Sequence, residues 1–152
     1  MQVADVMTQA SVVESPTDSL RSAAEAMWRQ QTGSLLVMDG DVLLGIVTER
    51  DIMTAIARGW DPEQAAVSDV MTCEMLTIGP ETSLHEAARL MAARWIRHLP
   101  VVRDGDVVGV VSQRDLVGVF AALSRDPEGV ALPADELVRA RRLVRIEHGD
   151  LD

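Results

Sequence analysis

The sequence contains no lysine, and this absence excludes several kinds of protein. Its fourteen lysine-or-arginine positions are all arginine, and twenty-four acidic residues bring the formal net charge to −10. Nonspecific binding to nucleic acids or anionic membranes depends on clustered positive charge, so we expect neither as a partner. Without lysine the chain also cannot build a P-loop, whose lysine contacts the bound phosphates.

Cysteine is equally scarce, since Cys73 is the only one. A single cysteine cannot form an internal disulfide, and this predicts a cytoplasmic protein in which Cys73 is a small apolar filler. No apolar run approaches the ~18 residues of a membrane span, and no basic-then-apolar signal opens the chain. The three histidines lack cysteines at zinc spacing, so we expect no metal site.

What the sequence does contain is an internal repeat. When it is displaced by 64 residues, residues 5–57 align with residues 69–121 without a gap, and 17 of the 53 aligned pairs are identical. A repeat of this kind must be found first, because it determines the fold. Two copies with a period longer than that of ordinary solenoids indicate a paired module. With 47% hydrophobic residues in a chain of 152, there is enough apolar material for a core.

Each copy predicts the order strand, helix, strand, strand, helix, which is an α+β fold. In the first copy, Asp18 or Ser19 can cap a helix whose apolar residues recur at helical spacing, with Met27 facing the core. Valine- and leucine-rich segments joined by a short Asp-Gly-Asp turn predict a hairpin. The other predicted segments of this copy are a short extended piece at 11–13, strands at 34–38 and 42–47, and a helix at 52–57.

The second copy repeats this pattern. Thr82 or Ser83 can cap its first helix, Met91 faces the core, and Ser83 with Glu86 fits a capping box. The remaining segments are strands at 99–102 and 107–111 and a helix at 116–123. The resulting division of the chain is repeat 1 over 1–60, a linker over 61–68, repeat 2 over 69–123, and a C-terminal tail over 124–152 with a helix at 134–146.

One motif occurs at matched positions in both copies. It has a glycine, two β-branched residues, a hydroxyl residue and then an aspartate, as in the segments 45–51 and 109–115. Such a strand that turns into a helix suits a sugar phosphate, because helix N-termini present free amides, a hydroxyl can donate to phosphate, and a carboxylate can accept from ribose hydroxyls. The plainer alternative is that Asp51 and Asp115 are helix N-caps, worth ~1 kcal/mol each.

These features resemble the CBS domain, present here as a tandem pair over roughly residues 3–122. The resemblance rests on the two Asp-Val-Met-Thr openings, the Pro-x-x-Ser-Leu helix starts, the strand that begins at His98, and the two glycine-to-aspartate motifs. It implies two β-α-β-β-α units packed with pseudo-twofold symmetry, known as a Bateman module, like the small two-CBS proteins of bacteria. Such modules commonly form dimers, are regulatory, and often bind AMP, ADP, ATP or related adenosyl ligands in clefts between the halves.

The resemblance also implies roles for individual residues. Asp51 and Asp115 would each hold a ribose, and Thr48 and Ser112 would approach the phosphate. Whether one cleft binds, both do or neither does stays open.

Arg97 and His98 match positions from which some relatives contact phosphates, whereas the corresponding Gly33 and Ser34 of the first copy are uncharged. A site that depends on the first copy alone would therefore neutralise a phosphate less completely. The positions where relatives line the adenine carry no aromatic side chain for stacking: Thr32 and Ile96.

The leading interpretation is thus a ligand-sensing regulatory module that forms a homodimer. The alternative is a ligand-free scaffold that acts on an unidentified protein partner through its dimer faces and its tail helix. Catalysis is not expected, because the sequence shows no nucleophile–base pair, no Walker lysine and no metal cluster. Accordingly we expect no catalytic residue and no cofactor other than the adenosyl ligand itself.

Overall fold

A computed structural model describes residues 1–9 and 13–123, so the predicted tail helix lies outside the described residues. Two short 3₁₀ turns span Val3–Asp5 and Val67–Asp69. The strands of the described ranges are β1 (Thr8–Gln9), β2 (Val13–Glu14), β3 (Ser34–Asp39), β4 (Val42–Thr48), β5 (His98–Arg103) and β6 (Asp106–Ser112). The helices of those ranges are α1 (Leu20–Gln30), α2 (Glu49–Ala57), α3 (Leu84–Arg94) and α4 (Gln113–Leu123).

The predicted α+β class and the tandem repeat are confirmed. Ser19 and Ser83 are the N-caps of α1 and α3, each accepting a backbone hydrogen bond at 3.1 Å. By contrast, α2 and α4 begin one turn earlier than their apolar periodicity suggests, because the first turn of each is polar and is held by a cap. None of the helices over 1–9 and 13–123 is long and apolar enough to cross a membrane.

Two sequence expectations are wrong. Cys73 is exposed and so is not an apolar filler. The capping box expected at α3 is only half formed: the Ser83 hydroxyl accepts from the Glu86 amide, but the Glu86 carboxylate binds Arg89 at 2.7 Å. An arginine three residues along the helix offers this carboxylate a charge-assisted partner, and that partner displaces the backbone amide at the cap.

The chain forms two compact units. The central unit is Ala10–Met75, and the terminal unit joins Met1–Gln9 to the chain from Leu76 onward. These units divide the chain differently from the sequence repeats, because a short segment at the start of each repeat lies in the other unit.

In the central unit, β3 lies between β2 and β4, pairing parallel with β2 and antiparallel with β4. Helices α1 and α2 contribute apolar faces that pack with the sheet. The buried residues of this core are Leu20, Ala23, Ala26, Met27, Leu35, Val37, Val47, Ile52, Ala55 and Val67. Met27 is therefore core, as its helical spacing predicts.

The segment that the sequence suggests as a linker is part of the central unit. The first amides of a helix have no partners within the helix itself. Here the Leu20 amide donates to the Ala65 carbonyl at 3.0 Å, and the Arg21 amide donates to the Pro62 carbonyl at 3.0 Å. Val67 is fully buried in the core, so the segment 61–68 caps α1 and closes one side of the unit.

In the terminal unit, β6 lies between β1 and β5 and is antiparallel to both. The Val3 amide donates to the Thr82 carbonyl at 2.8 Å, so the start of the chain is hydrogen-bonded to the segment before α3. The buried residues of this core are Val3, Val6, Ile78, Ala87, Met91, Leu99, Val101, Val111 and Val119. Met91 is core, as predicted.

The two opening segments are therefore exchanged between the repeats. Val3 and Val67 occupy equivalent repeat positions and are both fully buried, yet each lies in the unit that contains the hairpin of the other repeat. Thr72 exchanges two backbone hydrogen bonds with Ile46, at 2.9 and 3.0 Å, and Thr8 pairs with Val110 in the same manner in the terminal unit.

The glycine of the repeated motif permits this exchange. A Cβ at Gly109 would lie 2.5 Å from the Thr8 carbonyl oxygen, and a Cβ at Gly45 would lie 2.9 Å from the Thr72 carbonyl oxygen. Cβ atoms do not approach backbone oxygens this closely, so no side chain fits at either position. In this protein the motif glycine is accordingly a packing residue that admits the opening segment.

We expect Gly109→Ala to displace β1 from β6 and to lower the free energy of unfolding of the terminal unit by ~1–3 kcal/mol, a usual cost of overpacking. Urea denaturation of the full chain measures this. Gly79→Ala is the matched control, because its Cβ would meet only the flexible Glu81 side chain, at 3.3 Å. Equal stability of the two variants would contradict the assigned role of Gly109.

Candidate functional site

The first candidate site lies where β4 meets α2 in the central unit. The Asp51 carboxylate oxygen Oδ2 accepts from the Thr48 amide at 2.8 Å and from the Thr48 hydroxyl at 2.9 Å. In return the Asp51 amide donates to the Thr48 hydroxyl oxygen at 3.4 Å. This is a capping box: Thr48 is the N-cap of α2, and Asp51 is the third residue of the helix.

The chain that leads into β3 lies beside this cap. The Gly33 carbonyl accepts from the Glu49 amide at 3.0 Å, and Ser34 is the cross-strand partner of Thr48. The Thr32 hydroxyl donates to the Ser34 carbonyl at 3.1 Å. We call these five residues the central cap: Thr32, Gly33, Ser34, Thr48 and Asp51.

The terminal unit repeats the arrangement where β6 meets α4. The Asp115 Oδ2 accepts from the Ser112 amide and hydroxyl, both at 2.8 Å, and the Asp115 amide donates to the Ser112 hydroxyl oxygen at 3.3 Å. The Arg97 carbonyl accepts from the Gln113 amide at 2.8 Å, and His98 is the cross-strand partner of Ser112. We call these five residues the terminal cap: Ile96, Arg97, His98, Ser112 and Asp115.

Gln31 and Trp95, which have a left-handed backbone conformation, direct the segments that lead into β3 and β5. Gln31 ends α1 with φ 50°, and Trp95 ends α3 with φ 54°. This conformation is unusual for residues other than glycine, and at a helix end it turns the chain sharply. The Thr32 and Ile96 amides then bond back to Met27 and Met91 carbonyls at 3.1 Å. The same kind of turn therefore positions the segment before β3 at the central cap and the segment before β5 at the terminal cap.

The ten residues singled out in the sequence thus form two sets of five, one in each unit. The N-cap alternative for the aspartates is wrong in detail. The hydroxyl residue is the N-cap of α2, and the aspartate completes the box from within the first turn, where its negative charge also favours the helix dipole. The i, i+3 spacing of hydroxyl and carboxylate is the capping-box signature, and this local signal for their hydrogen bond was overlooked when the aspartates were interpreted as N-caps.

This internal hydrogen bond determines what the caps can do chemically. The Thr48 hydroxyl carries one hydrogen, which it donates to Asp51, so it can donate to a phosphate only by leaving the carboxylate. The second oxygen of Asp51 accepts no hydrogen bond from the described residues. The Asp51 carboxylate can therefore accept from an incoming hydroxyl while it still caps the helix.

The two caps differ in charge. In the central cap and its first helical turn, Glu49 and Asp51 outnumber Arg50. In the terminal cap and its first helical turn, Arg97 and Arg114 outnumber Asp115, and the residue aligned with Glu49 is Gln113. They also differ in exposure, since Asp115 is only 4% exposed whereas Asp51 is partly exposed. The terminal cap suits an anion better, and the central carboxylate is easier to reach.

His98 is neutral in the terminal cap at neutral pH. Burial lowers its pKa to about 4, and the nearby positive charges of Arg97 and Arg114 act in the same direction. A neutral imidazole adds hydrogen-bonding capacity without adding charge. Within residues 1–9 and 13–123, no group of three or more His, Cys, Asp or Glu side chains is placed to hold a metal ion.

Comparisons with known proteins show the family to which the chain belongs. The family model described as "CBS domain" matches residues 3–58 and 67–122. The CBS domain-containing protein YhcV of Bacillus subtilis is 37% identical over 131 residues, which cover 86% of this chain and 91% of YhcV. The two matched ranges are the two repeats of the sequence, and the chain belongs to the CBS domain family as a tandem pair.

Solved structures show the same fold. A CBS-domain containing protein of Agrobacterium tumefaciens has a TM-score of 0.73 at 30% identity, covering 77% of this chain and 97% of that one. The CBS domain pair of protein MJ0100, solved in complex with 5′-methylthioadenosine and S-adenosyl-L-methionine, has a TM-score of 0.73 at 25% identity and covers 79% of this chain and 99% of its own.

The lowered pKa of His98 predicts how the stability of the terminal unit depends on pH. Unfolding restores the ordinary pKa of 6.5, so between pH 6.5 and 4 the unfolded state binds more protons. The stabilisation is complete above pH 6.5 and is lost as the pH falls towards 4. We expect a loss on the order of 1–2 kcal/mol between pH 7 and pH 5.

Protection of the β5 and β6 amides against hydrogen exchange, measured at both pH values, tests this loss. His98→Gln should remove the dependence on pH. His85→Gln, at an exposed position of α3, is the control and should retain it. A wild-type terminal unit with equal protection at pH 5 and pH 7 would refute the assignment.

Proposed function

We propose that the protein is a regulatory CBS pair that binds adenosyl ligands at its two caps and responds by a change of conformation or dimer state. The observation that carries the proposal is the duplicated hydroxyl–carboxylate pair at a strand-to-helix junction, with matching distances in both units. The complex of protein MJ0100 with two adenosyl compounds, in a similar fold, supports this ligand class.

Binding would proceed by an exchange of hydrogen bonds. Asp51 would accept from a ribose hydroxyl with the oxygen not used in capping, and Thr48 could turn its hydroxyl from Asp51 towards the ligand. The amide bond from Thr48 to Asp51 would still hold the first turn of α2. The first step adds a hydrogen bond without breaking one of the cap, and the second replaces one hydrogen bond by another, so the cap can take a ligand at little cost to the helix.

The charges of the caps indicate different ligands. Arg97 and Arg114 give the terminal cap a positive balance, which favours a phosphate-bearing nucleotide such as AMP, ADP or ATP. The central cap has an acidic balance and uncharged residues at Gly33 and Ser34, which favours an adenosyl compound without phosphate, such as 5′-methylthioadenosine or S-adenosylmethionine. We therefore propose that each cap prefers its own class of ligand.

Transmission would follow the helices that the caps begin. A ligand that binds one arrangement of a cap more tightly shifts the population towards that arrangement, by no more than the difference in its two affinities. The helices α2 and α4 start at the caps and carry exposed apolar residues further along. A shift at either cap would thereby alter a surface suited to dimer contact.

The first test is thermal unfolding with AMP, ADP, ATP, NADH, S-adenosylmethionine and 5′-methylthioadenosine, on wild type, Asp51→Ala and Asp115→Ala. A ligand at ~100 times its Kd should add about 2.7 kcal/mol to the free energy of unfolding. We expect phosphorylated ligands to lose their effect in Asp115→Ala, and the phosphate-free adenosyl compounds to lose theirs in Asp51→Ala.

Each variant also loses the carboxylate half of a capping box and is destabilised by that loss, so the ligand shift is taken against the same variant without ligand. Ser83→Ala is the control, because it removes a cap of α3 outside both sites and should retain every ligand shift. If none of the ligands stabilises wild-type protein that has been freed of copurified nucleotide, the ligand-binding proposal fails.

A second candidate, dimerisation as a scaffold, is favoured by the exposed apolar residues of α2 and α4. Met53 and Val117 occupy equivalent repeat positions and are 63% and 59% exposed. Ile56 and Phe120 form a second equivalent pair, one helical turn further along, and are also exposed. Apolar residues that match in both repeats suit a two-fold contact, in which each surface meets its counterpart. We propose that a second copy of the chain covers these faces.

We expect Met53→Glu and Val117→Glu, combined, to weaken the dimer more than tenfold, because burying two carboxylates in an apolar contact is costly. Sedimentation velocity over a concentration series measures the dissociation constant. Trp28→Glu is the control, since it places the same charge on an exposed apolar position of α1 outside these faces. A wild-type protein that stays monomeric at all concentrations would exclude this dimer.

A further inference from the structure

A buried carboxyl group distinguishes the central unit from the terminal unit. Glu14 lies on β2 opposite Val37 and is only 6% exposed. The residue that aligns with it 64 positions later is Ile78, which pairs with Val101 in the same parallel manner and is 8% exposed. Two similar units therefore place an acid and an isoleucine at the same covered position, and the acid needs an explanation, because burying a carboxylate is costly.

The neighbours of Glu14 explain in part why a carboxyl group is buried at this position. Its carboxyl group lies within hydrogen-bonding reach of Asp18, in the turn before α1, and close to Ser22 in α1. Asp18 also accepts from the Ser15 amide at 2.8 Å, which holds its carboxylate in place. Two ionised carboxylates have no hydrogen to share, so the bond between Glu14 and Asp18 requires a proton on one of them.

The surroundings of Glu14 include both charged and apolar groups. The charged groups that face Glu14 are Asp18 and, from α1, Arg29, while β3 contributes the apolar Val37. None of the three polar neighbours is repeated in the terminal unit, where the residues aligned with Asp18, Ser22 and Arg29 are Thr82, Glu86 and Ala93. The acid and its partners are thus a property of the central unit alone.

These conditions favour the protonated form. Burial is the largest cause, and together with the hydrogen bond and negative charge of Asp18 it raises the pKa of Glu14 from 4.5 to about 7. The positive charge of Arg29 and the Ser22 hydroxyl act in the opposite direction but are weaker.

We propose that Glu14 and Asp18 form a proton-binding pair that makes the central unit less stable as the pH rises through neutrality. Proton linkage gives the direction in which the stability of the central unit changes with pH. Between pH 4.5 and about 7, the folded unit holds a proton on Glu14 that the unfolded chain has released. Stability is therefore greatest at the acid end of this window, falls as the pH rises, and reaches its lower value above pH 7.

The terminal unit responds in the opposite sense, because His98 is neutral when folded and takes up a proton on unfolding. Acidification within this window thus stabilises the central unit and destabilises the terminal unit. A regulatory protein with this property would report cytoplasmic pH through the relative stability of its two units. This response to pH does not depend on the proposed adenosyl ligands.

Native-state hydrogen exchange of the full chain tests the inference, because it reports the β3 and β4 amides separately from those of β5 and β6. The measured quantity is the opening equilibrium constant from pH 5 to pH 8, after correction for the intrinsic exchange rate. In wild type we expect this constant to rise on the order of fifty-fold for the central unit across this range.

Substitutions of Glu14 and Asp18 distinguish the effect of this carboxyl pair from that of other acidic residues in the central unit. Glu14→Gln and Glu14→Ile, the latter copying the terminal unit, should abolish the rise. Asp18→Asn retains an acceptor for the Ser15 amide but removes the charge, so the midpoint of the rise should move to lower pH. Glu25→Gln, at an exposed acid of α1, is the control and should leave the midpoint unchanged.

A central unit whose wild-type opening constant does not vary between pH 5 and pH 8 would overturn the proposal. So would a rise that persists in Glu14→Gln. If both Glu14 variants fail to fold, Asp18→Asn decides: an unchanged midpoint shows that the two carboxyl groups do not share a proton, and a lowered midpoint supports the pair.

Discussion

The close approach of backbone to backbone at Gly45 and Gly109 is the constraint on which the rest of the structure depends. Each glycine admits the opening segment of the other repeat, whose carbonyl oxygen would otherwise collide with a Cβ atom. The segment then supplies a buried valine to the core, Val67 in one unit and Val3 in the other. Neither repeat is therefore a complete unit, because each lacks a core residue that the other provides. The two sequence repeats must therefore fold together.

The caps at the ends of β4 and β6 use the same atoms for stability and for the proposed binding. Thr48 and Asp51 satisfy amides that a helix start leaves without partners, and the same hydroxyl and carboxylate are the groups that a ribose phosphate needs. A phosphate that takes the hydroxyl hydrogen at such a site must exchange a hydrogen bond with the helix start. This gives binding a direct route to the helix, and it also means that mutations at the cap affect folding and binding together.

The differences between the repeats are as informative as their similarity. Arg97 and His98 stand where the first repeat has Gly33 and Ser34, so the two caps present different charge on the same backbone geometry. Glu14 stands where the second repeat has Ile78, at a position that is covered in both units. Because the fold is held constant, each difference can be read against an internal reference, and together they give the units different expected responses to phosphate and to protons.

Features that depend on neighbours along the chain can be predicted from the amino-acid sequence. Helical spacing, turn residues and the hydroxyl–aspartate motif act within about one turn or one hairpin, so the four helices α1 to α4, the β3–β4 and β5–β6 hairpins and the positions of both caps were predictable. The exchange of the opening segments becomes visible in the folded chain alone, since it depends on contacts between residues far apart in sequence, such as Val3 with Thr82. The burial of Glu14 was likewise decided there, because a single acid in a short strand carries no local signal of what will cover it.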